Sequence, residues 1–473
     1  MTNRSRLDHL FGTLGMPIAL AFRVFPLLLI SLFAVLAIAA PDSLFVLGQV
    51  AVIATAGLLA FVFPTTVLTI AVVSLTFSPE NLMIFDRLNL PMNVGAVHKF
   101  LVLLATVPMV LRYGVNWRIN GPLIAILLLL ATSLVFGDVH PALTQFQIVK
   151  SLIALLIPWL FLSVKFNDKT ADALLIGIAL MPTISVLAAI PVEMIGALNR
   201  IGEPLTMIAV DYTGGARLTG MNFPAFLAFF GYVSFLVCLH KVVIENRRGF
   251  IFLALVNLAM IILSGTRMPS LLAVLLAGLM IFFASKETLK GAAKINLFLL
   301  GLVFVSVVMV FYWPQLEARM FAQTSDSAVN LSGRDEIWSY FLAAFYESPV
   351  FGKGVGAGVV LLEDVVIYSS HAAHNEYLRL LVDGGVVGLL LYIGGVVVHM
   401  AIIAKHLTRD EKVLIFGFFF LLAIYSLTDN ALTAPPTLVM GLVIAIFLQK
   451  ARLKHTERTG SDEQSDTADA ATG

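Results

Sequence analysis

Charged residues are scarce in this chain. They make up 12% of its 473 residues, against about 25% in a typical soluble protein, while hydrophobic residues make up 59%. Long apolar runs recur from one end to the other, and the alternating strands of about ten residues that mark an outer-membrane barrel are missing from the sequence. The composition therefore predicts an all-α polytopic membrane protein rather than a soluble domain.

Cysteine is almost absent as well. The one cysteine, Cys238, lies inside an apolar run, so a disulfide within the chain is excluded. Loops outside the cytoplasm must then hold their shape through other contacts. No cleavable signal peptide is evident, and the first apolar run is interpreted as a retained span.

The apolar runs predict about 12–14 transmembrane helices. Two of the predicted segments, 64–78 and 99–111, are shorter than the roughly 20 residues that a full crossing needs. The predicted segments are residues 25–40, 44–62, 64–78, 99–111, 121–137, 146–165, 172–196, 221–240, 250–264, 268–284, 295–312, 378–404, 412–428 and 434–449.

The basic residues favour one orientation. Most of the 30 Lys and Arg residues fall on one side of the membrane when both termini are placed in the cytoplasm. The resulting regions are a cytoplasmic N-terminus (1–20), an N-terminal transmembrane bundle (21–197), an outer loop (198–220), central transmembrane helices (221–312), a large outer loop (313–377), C-terminal transmembrane helices (378–449) and a cytoplasmic tail (450–473). We expect the large loop to fold as a small subdomain and the polar tail to be disordered.

Three of the arginines on the predicted outer face are candidate binding residues. Arg267, in "LSGTRMPSL", is the most informative, because the positive-inside preference disfavours Arg in so short an outer turn. We expect Arg217 and Arg267 to bind an anion near the membrane surface, with Arg334 as a further candidate for substrate binding. The structural alternatives are a snorkelling side chain at Arg267, an ordinary flexible turn at Arg217 and a solvated helix start at Arg334.

A histidine-containing stretch, "SSHAAHNEYLRLL", precedes a long apolar run. An imidazole can take a proton near neutral pH, so His374 is the candidate general base. A loop histidine that packs at a helix start is the alternative. Asn375 and Glu376 either cap the following helix or contact the imidazole or substrate, and we expect no role for His371.

Neither a metal nor a cofactor is expected. No His, Cys, Asp or Glu set has convincing metal-ligand spacing. The stretch "FGKGVGAG" at 351–358 lacks the strand–loop–helix context of a nucleotide site, so it predicts a tight turn instead.

The motifs around these residues resemble one family. "ARLTGMNFPAF", "LSGTRMPSLLAVLLAG", "GRDEIWSYFLAAFYESPVFGKGVGAG" and "HNEYLRLLVDGGVVGLLLYI" occur in an order and spacing similar to those of the O-antigen ligase/polymerase family of bacterial envelope glycosyltransferases. The resemblance covers roughly residues 200 to 430. The N-terminal spans add only the general multi-span architecture.

The resemblance implies a C-type glycosyltransferase fold in the bacterial inner membrane, with the active site on the periplasmic face. Such an enzyme takes a glycan from undecaprenyl diphosphate and transfers it to an acceptor hydroxyl, without a metal. The acceptor is another lipid-linked glycan for a polymerase and the lipid A core for a ligase. By position, the matching functional residues are Arg217, Arg267 and His374.

The expected activity is therefore an inverting glycosyl transfer, with a slight preference for a polymerase of surface polysaccharide over an O-antigen ligase. Expected partners are the lipid-linked donor, the glycan or lipid A core acceptor, the bilayer and other polysaccharide export proteins, without nucleic acid. A lipid-linked glycan flippase is the alternative from another class, although transporters tend to place ionisable groups near the midplane and to have pseudo-symmetric halves. A scaffold of an export complex is the third.

Overall fold

The structure is a computed structural model. It describes residues 55, 57–59, 62–77, 94–115, 117–195, 199–200, 203–204, 206–210, 215–285, 290–321, 334–363 and 373–472. The first predicted span, most of the second and His371 lie outside these residues.

The described part of the chain is built from helices and two short hairpins. The helices are α1 (Pro64–Ser74), α2 (Val94–Tyr113), α3 (Gly121–Phe136), α4 (Gln145–Leu160), α5 (Asp168–Met194), α6 (Pro224–Leu239), α7 (Phe250–Leu263), α8 (Arg267–Phe283), α9 (Gly291–Phe321), α10 (Arg334–Glu347), α11 (Ala357–Glu363), α12 (Glu376–Ile403), α13 (Arg409–Tyr425) and α14 (Pro435–Thr472). The strands are β1 (Asn199–Arg200), β2 (Glu203–Pro204), β3 (Ile208–Val210) and β4 (Ala216–Leu218).

The all-α polytopic class is confirmed. Five helical stretches in the described part are long and apolar enough to cross a membrane, and six shorter apolar helices accompany them. The five stretches are Gln145–Ser163, Asp168–Met194, Pro224–Ile244, Glu376–His406 and Pro435–Lys454. The short predicted segment 99–111 lies within the 20-residue helix α2, so part of its length comes from flanking residues that are less apolar. The total of about 12–14 spans stays a prediction.

Helix α6 lies at the centre of the bundle, where almost all its side chains are buried. Buried polar side chains tie its neighbours together. Ser234 of α6 donates a hydrogen bond of 2.6 Å to the carbonyl of Ile178 in α5. Asn257 of α7 donates one of 3.0 Å to the carbonyl of Ala179. Such bonds hold apolar helices together where the bilayer supplies no hydrophobic drive for their association.

Helices α3 and α12 pack backbone against backbone at two glycines. A Cβ atom on Gly121 would lie 2.6 Å from the carbonyl oxygen of Gly395, and one on Gly395 would lie 2.8 Å from the carbonyl oxygen of Gly121. A methyl group at either position would push the helices apart. Small residues at such crossings permit the close contact that packs membrane helices.

The glycine-rich stretch 351–358 forms a tight turn that packs against a break in α12. The backbone is left-handed at Gly352 (φ +72°) and at Gly385 inside α12 (φ +64°). The amide of Lys353 donates to the carbonyl of Val382 (2.7 Å), and the amide of Gly354 donates to that of Asp383 (3.1 Å). The predicted large outer loop is thereby attached to the helix that follows His374.

The described part of the large loop has its own apolar cluster. Helices α10 and α11 bury Phe341, Ala357 and Leu362 together with Val382 of α12. Trp338 donates a hydrogen bond of 3.0 Å from its indole nitrogen to the carbonyl of Ala373, one residue before His374. The small subdomain formed by the whole loop stays a prediction.

The C-terminal tail differs from its predicted disorder, since α14 continues to Thr472. The physical reason is that a helix already formed and packed over its first half needs no new nucleus to extend. Ala, Glu and Gln in the tail are also compatible with a helix.

The hairpins lie in the stretch 198–220, the predicted outer loop. Strand β1 pairs with β2, and β3 pairs with β4, both antiparallel, with Arg217 opposite Ala209. The sequence predicts only a loop here, because strands of two or three residues are too short to show alternation. The second hairpin fixes the position of Arg217.

Candidate functional site

His374 lies beside a carboxylate at the start of α12. Its Nδ1 atom is 3.2 Å from Oδ1 of Asp429, in the turn between α13 and α14. Both side chains are largely but not fully buried, with 28% of the His374 side chain and 17% of the Asp429 side chain exposed. An ionised carboxylate only accepts hydrogen bonds, so Nδ1 carries the proton in this contact and Nε2 is the basic nitrogen.

The backbone of His374 has an unusual conformation. Its φ of +48° lies in the left-handed region, which residues other than glycine rarely adopt. Its amide donates a hydrogen bond of 3.0 Å to the side-chain oxygen of Asn430. A strained backbone that is held by specific bonds recurs at functional sites, where it sets the direction of a side chain.

Both carboxylate oxygens of Asp429 accept hydrogen bonds from within the protein. Tyr425 donates a hydrogen bond of 2.8 Å to Oδ2, and the amide of Asn430 donates one of 2.8 Å to Oδ1. Burial alone would raise the pKa of Asp429, but the hydrogen bond with His374 and the nearby Arg334 charge hold that pKa below its usual range. The carboxylate therefore stays ionised and fixes the orientation of the imidazole.

Arg334 reaches the same turn from the predicted large outer loop. It is the first residue of α10, and its Nη1 atom donates a hydrogen bond to the carbonyl of Thr428. The sequence offered a solvated helix start as the alternative for this residue. The structure instead brings it next to the residue that precedes Asp429.

Arg217 and Arg267 come together at the start of α8. From β4, the Nε atom of Arg217 donates to the carbonyl of Ser264 (2.8 Å), and its Nη2 atom donates to the hydroxyl of Thr266 (3.1 Å). Arg267 follows Thr266 as the first residue of α8. The guanidinium group of Arg217 and the backbone of Arg267 thus lie at the positive end of a helix dipole, an arrangement that favours an anion.

The two groups of residues lie at the same end of the helix bundle. Thr266 donates a hydrogen bond of 3.3 Å to the carbonyl of Pro224 at the start of α6. Phe229, five residues or about 7.5 Å further along α6, packs edge-on against Tyr425 with 5.1 Å between the ring centroids. Helix α6 therefore connects the arginines to the Tyr425–Asp429–His374 chain of contacts.

Asn375 and Glu376 both make bonds within the protein. The side-chain oxygen of Asn375 accepts from the amides of Tyr377 (3.0 Å) and Leu378 (3.1 Å), which caps α12. Glu376 is buried, pairs with Arg379 and accepts from the amide of Leu432 at 2.8 Å. These contacts correspond to the cap role that the sequence also allowed, and they fix His374 relative to the turn before α14.

An apolar cavity of about 240 Å³ opens next to this site, between α4, α12, α13 and α14. Glu376, Tyr377 and Ser426 contribute polar groups to its wall, and Trp159 and Phe419 contribute aromatic rings. Within the described residues, no group of three or more His, Cys, Asp or Glu side chains could hold a metal ion.

Sequence reasoning missed Asp429 and Tyr425. The signal was present in "SLTDNALTAPP", where an acidic residue interrupts two apolar segments. An ionisable group at such a break is costly near a bilayer and suggests a function.

These features define a polytopic α-helical membrane protein with a His–Asp pair and paired arginines at one end of its bundle. Residues 250–393 match the family model described as O-antigen ligase, which confirms the resemblance to the O-antigen ligase/polymerase family. The match includes Arg267, Arg334 and His374, whereas Arg217 and Asp429 lie outside it. A search of the curated proteins finds no match.

Proposed function

We propose that the protein is an inner-membrane glycosyltransferase that moves a glycan from undecaprenyl diphosphate to a sugar hydroxyl on the periplasmic face. The observation that carries this proposal is the contact between His374 and the ionised Asp429, 3.2 Å apart. A histidine held in one tautomer by a carboxylate is suited to remove a proton from a hydroxyl group.

The reaction is a single displacement with inversion at the sugar. Nε2 of His374 takes the proton of the acceptor hydroxyl as its oxygen attacks the anomeric carbon. The bond from that carbon to the diphosphate oxygen breaks, and the electron pair leaves with undecaprenyl diphosphate. The Asp429 carboxylate stabilises the imidazolium that forms, as a buried carboxylate does in other His–Asp pairs.

The arginines supply the electrostatic part of catalysis. A diphosphate leaving group needs its developing negative charge stabilised, and it needs no proton. Guanidinium groups remain charged and bind phosphate oxygens bidentately, and stabilisation of this kind is often the largest catalytic contribution. Arg267, with Arg217 held beside it by Ser264 and Thr266, is suited to this role. Arg334 is a further candidate for substrate binding.

The apolar cavity beside Glu376 suits the lipid part of the donor. Its walls are almost entirely apolar, and it lies next to the turn that carries Asp429. A prenyl chain would lie against these apolar walls, beside the turn that carries Asp429. This placement supports a lipid-linked donor over a soluble sugar nucleotide.

A polymerase and a ligase differ in the acceptor, and we favour the polymerase slightly because of the breadth of the family. A strain that lacks the protein distinguishes them when its polysaccharides are separated on a gel. Loss of long chains with single-repeat products kept indicates a polymerase. Full-length polymer left on the undecaprenyl carrier, beside bare lipid A core, indicates a ligase. Normal polysaccharide would contradict both.

A flippase for lipid-linked glycans is the alternative from another class. It would share many spans and polar residues, but the His–Asp pair and the arginines lie at one end of the bundle rather than at its middle. Purified protein mixed with lipid-linked glycans in detergent tests this alternative, because detergent removes the two compartments that transport requires. New glycosidic bonds support the enzyme. The absence of new bonds with a lipid-linked glycan that binds to the protein would contradict it.

A further inference from the structure

A larger cavity, of about 580 Å³, lies at the opposite end of the bundle from His374. It is enclosed by the segments after α2 and α4 and by the stretch of α14 around residues 445–453. That stretch lies 10–18 residues beyond Pro435, or about 15–27 Å along the helix from the turn next to His374. The predicted orientation places this cavity at the cytoplasmic face. The transfer reaction does not use it.

The charge that lines the cavity is positive. Lys165 and Arg452 both contribute to its wall, and none of the described residues that line it is acidic. Gln449 fixes the two sides to each other, because its side-chain oxygen accepts a hydrogen bond of 3.0 Å from the amide of Phe166, the residue after Lys165. Lys165 and Arg452 therefore line a single pocket whose two sides are bonded to each other.

A buried hydroxyl in the same wall points to a ligand. The side chain of Ser163 is 5% exposed, and its hydroxyl has no hydrogen-bond partner among the residues that the structure describes. Buried polar groups almost always have a partner, and each exception calls for an explanation. A positive-inside preference accounts for basic residues at this end of a membrane protein, but it does not account for an unpartnered hydroxyl beside them.

The remaining walls are apolar. Leu162, Val164, Leu448 and Leu453 line the cavity next to the polar groups. A small free anion would leave these side chains without a partner, whereas a lipid would place its phosphate at the cations and its first methylene groups against the leucines. The volume lies within the roughly 300–1,000 Å³ of typical ligand sites.

We propose that this cavity binds the anionic phosphate of a membrane lipid from the leaflet at that end of the bundle. Lys165 and Arg452 neutralise the phosphate, and the Ser163 hydroxyl donates a hydrogen bond to it. This lipid site is separate from the site of glycan transfer. It fits a phosphodiester lipid with a net negative charge, such as phosphatidylglycerol, better than a zwitterionic one.

Lipid binding to the purified full-length protein in detergent tests the proposal, with phosphatidylglycerol, phosphatidylcholine and inorganic phosphate as probes. Lys165→Gln/Arg452→Gln should bind phosphatidylglycerol about 30-fold more weakly than wild type, since each basic residue near an anionic lipid contributes roughly a fivefold factor. The matched control is Lys169→Gln/Arg248→Gln, which removes two exposed cations outside the cavity and should change binding little. Equal binding by both double variants would overturn the proposal.

Ser163→Ala separates a binding role from a structural one. Without lipid, the variant should melt at the same temperature as wild type or higher, because it removes a buried hydroxyl that has no partner. With phosphatidylglycerol, its melting temperature should rise less than that of wild type. An unchanged lipid response would count against the proposal. If inorganic phosphate stabilises the protein as much as the lipid and displaces it, the site takes free phosphate and the lipid assignment is wrong.

Discussion

At the scale of single residues, the central feature is the imidazole of His374, in which Nδ1 contacts Asp429 and Nε2 is the proposed base. Asp429 accepts from Nδ1, and Tyr425 and the amide of Asn430 occupy the carboxylate from the other directions. Together these bonds restrict the carboxylate to one orientation. The pair is therefore set up before any substrate arrives, which reduces the reorganisation that catalysis requires.

Asp429→Asn tests the tautomer argument. An asparagine of nearly the same shape can offer its amide nitrogen to Nδ1, which would move the imidazole proton to Nε2 and remove the base. We expect kcat for glycan transfer to fall by about 10²–10⁴ while the protein remains folded. Asp168→Asn, at an exposed position at the start of α5, is the control and should keep wild-type activity. A kcat within threefold of wild type in Asp429→Asn would rule out the assigned role.

Substitution of Arg267 tests whether its charge stabilises the leaving diphosphate. Arg267→Ala should lower kcat about 10²–10³-fold, because the diphosphate loses a charge that acts as the bond breaks. Arg267→Lys should restore only part of that loss, since an ammonium group cannot bind two phosphate oxygens in the way a planar guanidinium does. Steady-state kinetics with a lipid-linked donor measure kcat for both variants. Arg248→Ala, at the other end of the bundle, is the control. Full activity in Arg267→Ala would refute the assignment.

At the scale of elements, the glycine-rich turn matters because it couples the large outer loop to α12. A Cβ atom on Gly352 would lie 2.5 Å from the amide nitrogen of Gly384, and one on Gly385 would lie 2.2 Å from the carbonyl oxygen of Val350. Neither neighbour can move without changing the path of α12. The turn therefore helps to fix the position of His374, ten residues before the break.

Gly352→Ala should destabilise the protein by about 1–3 kcal/mol or more, because it combines a left-handed backbone with a clash against backbone atoms. Gly278→Ala is the matched control, since a Cβ atom there meets no other atom within 4 Å and the helix α8 gains from the exchange. Thermal unfolding in detergent compares the two. We expect a lower melting temperature for Gly352→Ala and an equal or higher one for Gly278→Ala. Equal effects would contradict the assigned contact.

Apolar runs predicted the helices of the described part well, because a membrane-crossing backbone must satisfy its own hydrogen bonds and the signal is repeated over many residues. The break at Gly384–Gly385 was not predictable in this way. It depends on a turn some 30 residues earlier in the chain that supplies the contacts to Val382 and Asp383. The hairpin that carries Arg217 was missed for a similar reason, since its strands are three residues each.

At the scale of the whole molecule, the bundle has two chemically different ends. One holds the His374–Asp429 pair and the arginines. The other holds a buried ion network in which Lys241 bonds to Asp172 (2.9 Å) and Glu245 (2.8 Å). Ionic groups at both ends and an apolar middle are what a protein that crosses a bilayer requires, and the excess of basic residues at the second end predicts that it faces the cytoplasm.

Cysteine labelling tests that orientation. The natural cysteine, Cys238, is buried, and Cys238→Ser provides a background without cysteine. In that background, Tyr346→Cys, at an exposed position in the outer loop, should react with a membrane-impermeant maleimide in intact spheroplasts. Arg248→Cys should react only after the membrane is opened. The reverse pattern would place the candidate site in the cytoplasm and contradict the proposed reaction.

The sequence predicted three members of the candidate site through resemblance and charge, but it could not show which of them meet. Arg217 lies 50 residues before Arg267, yet it bonds to the residues on either side of Gly265. His374 meets an aspartate 55 residues later in the chain. Such pairings depend on which helix ends share a side of the bundle, and short motifs do not carry that information.

The most direct measurement is the rate of glycan transfer by purified His374→Ala, with an undecaprenyl-diphosphate-linked glycan as donor. We expect its kcat to fall about 10²–10⁴-fold, the usual contribution of a well-placed general base. His371→Ala, which removes the neighbouring histidine of the same loop, should transfer glycan at the wild-type rate. Transfer by His374→Ala at the wild-type rate would contradict the account.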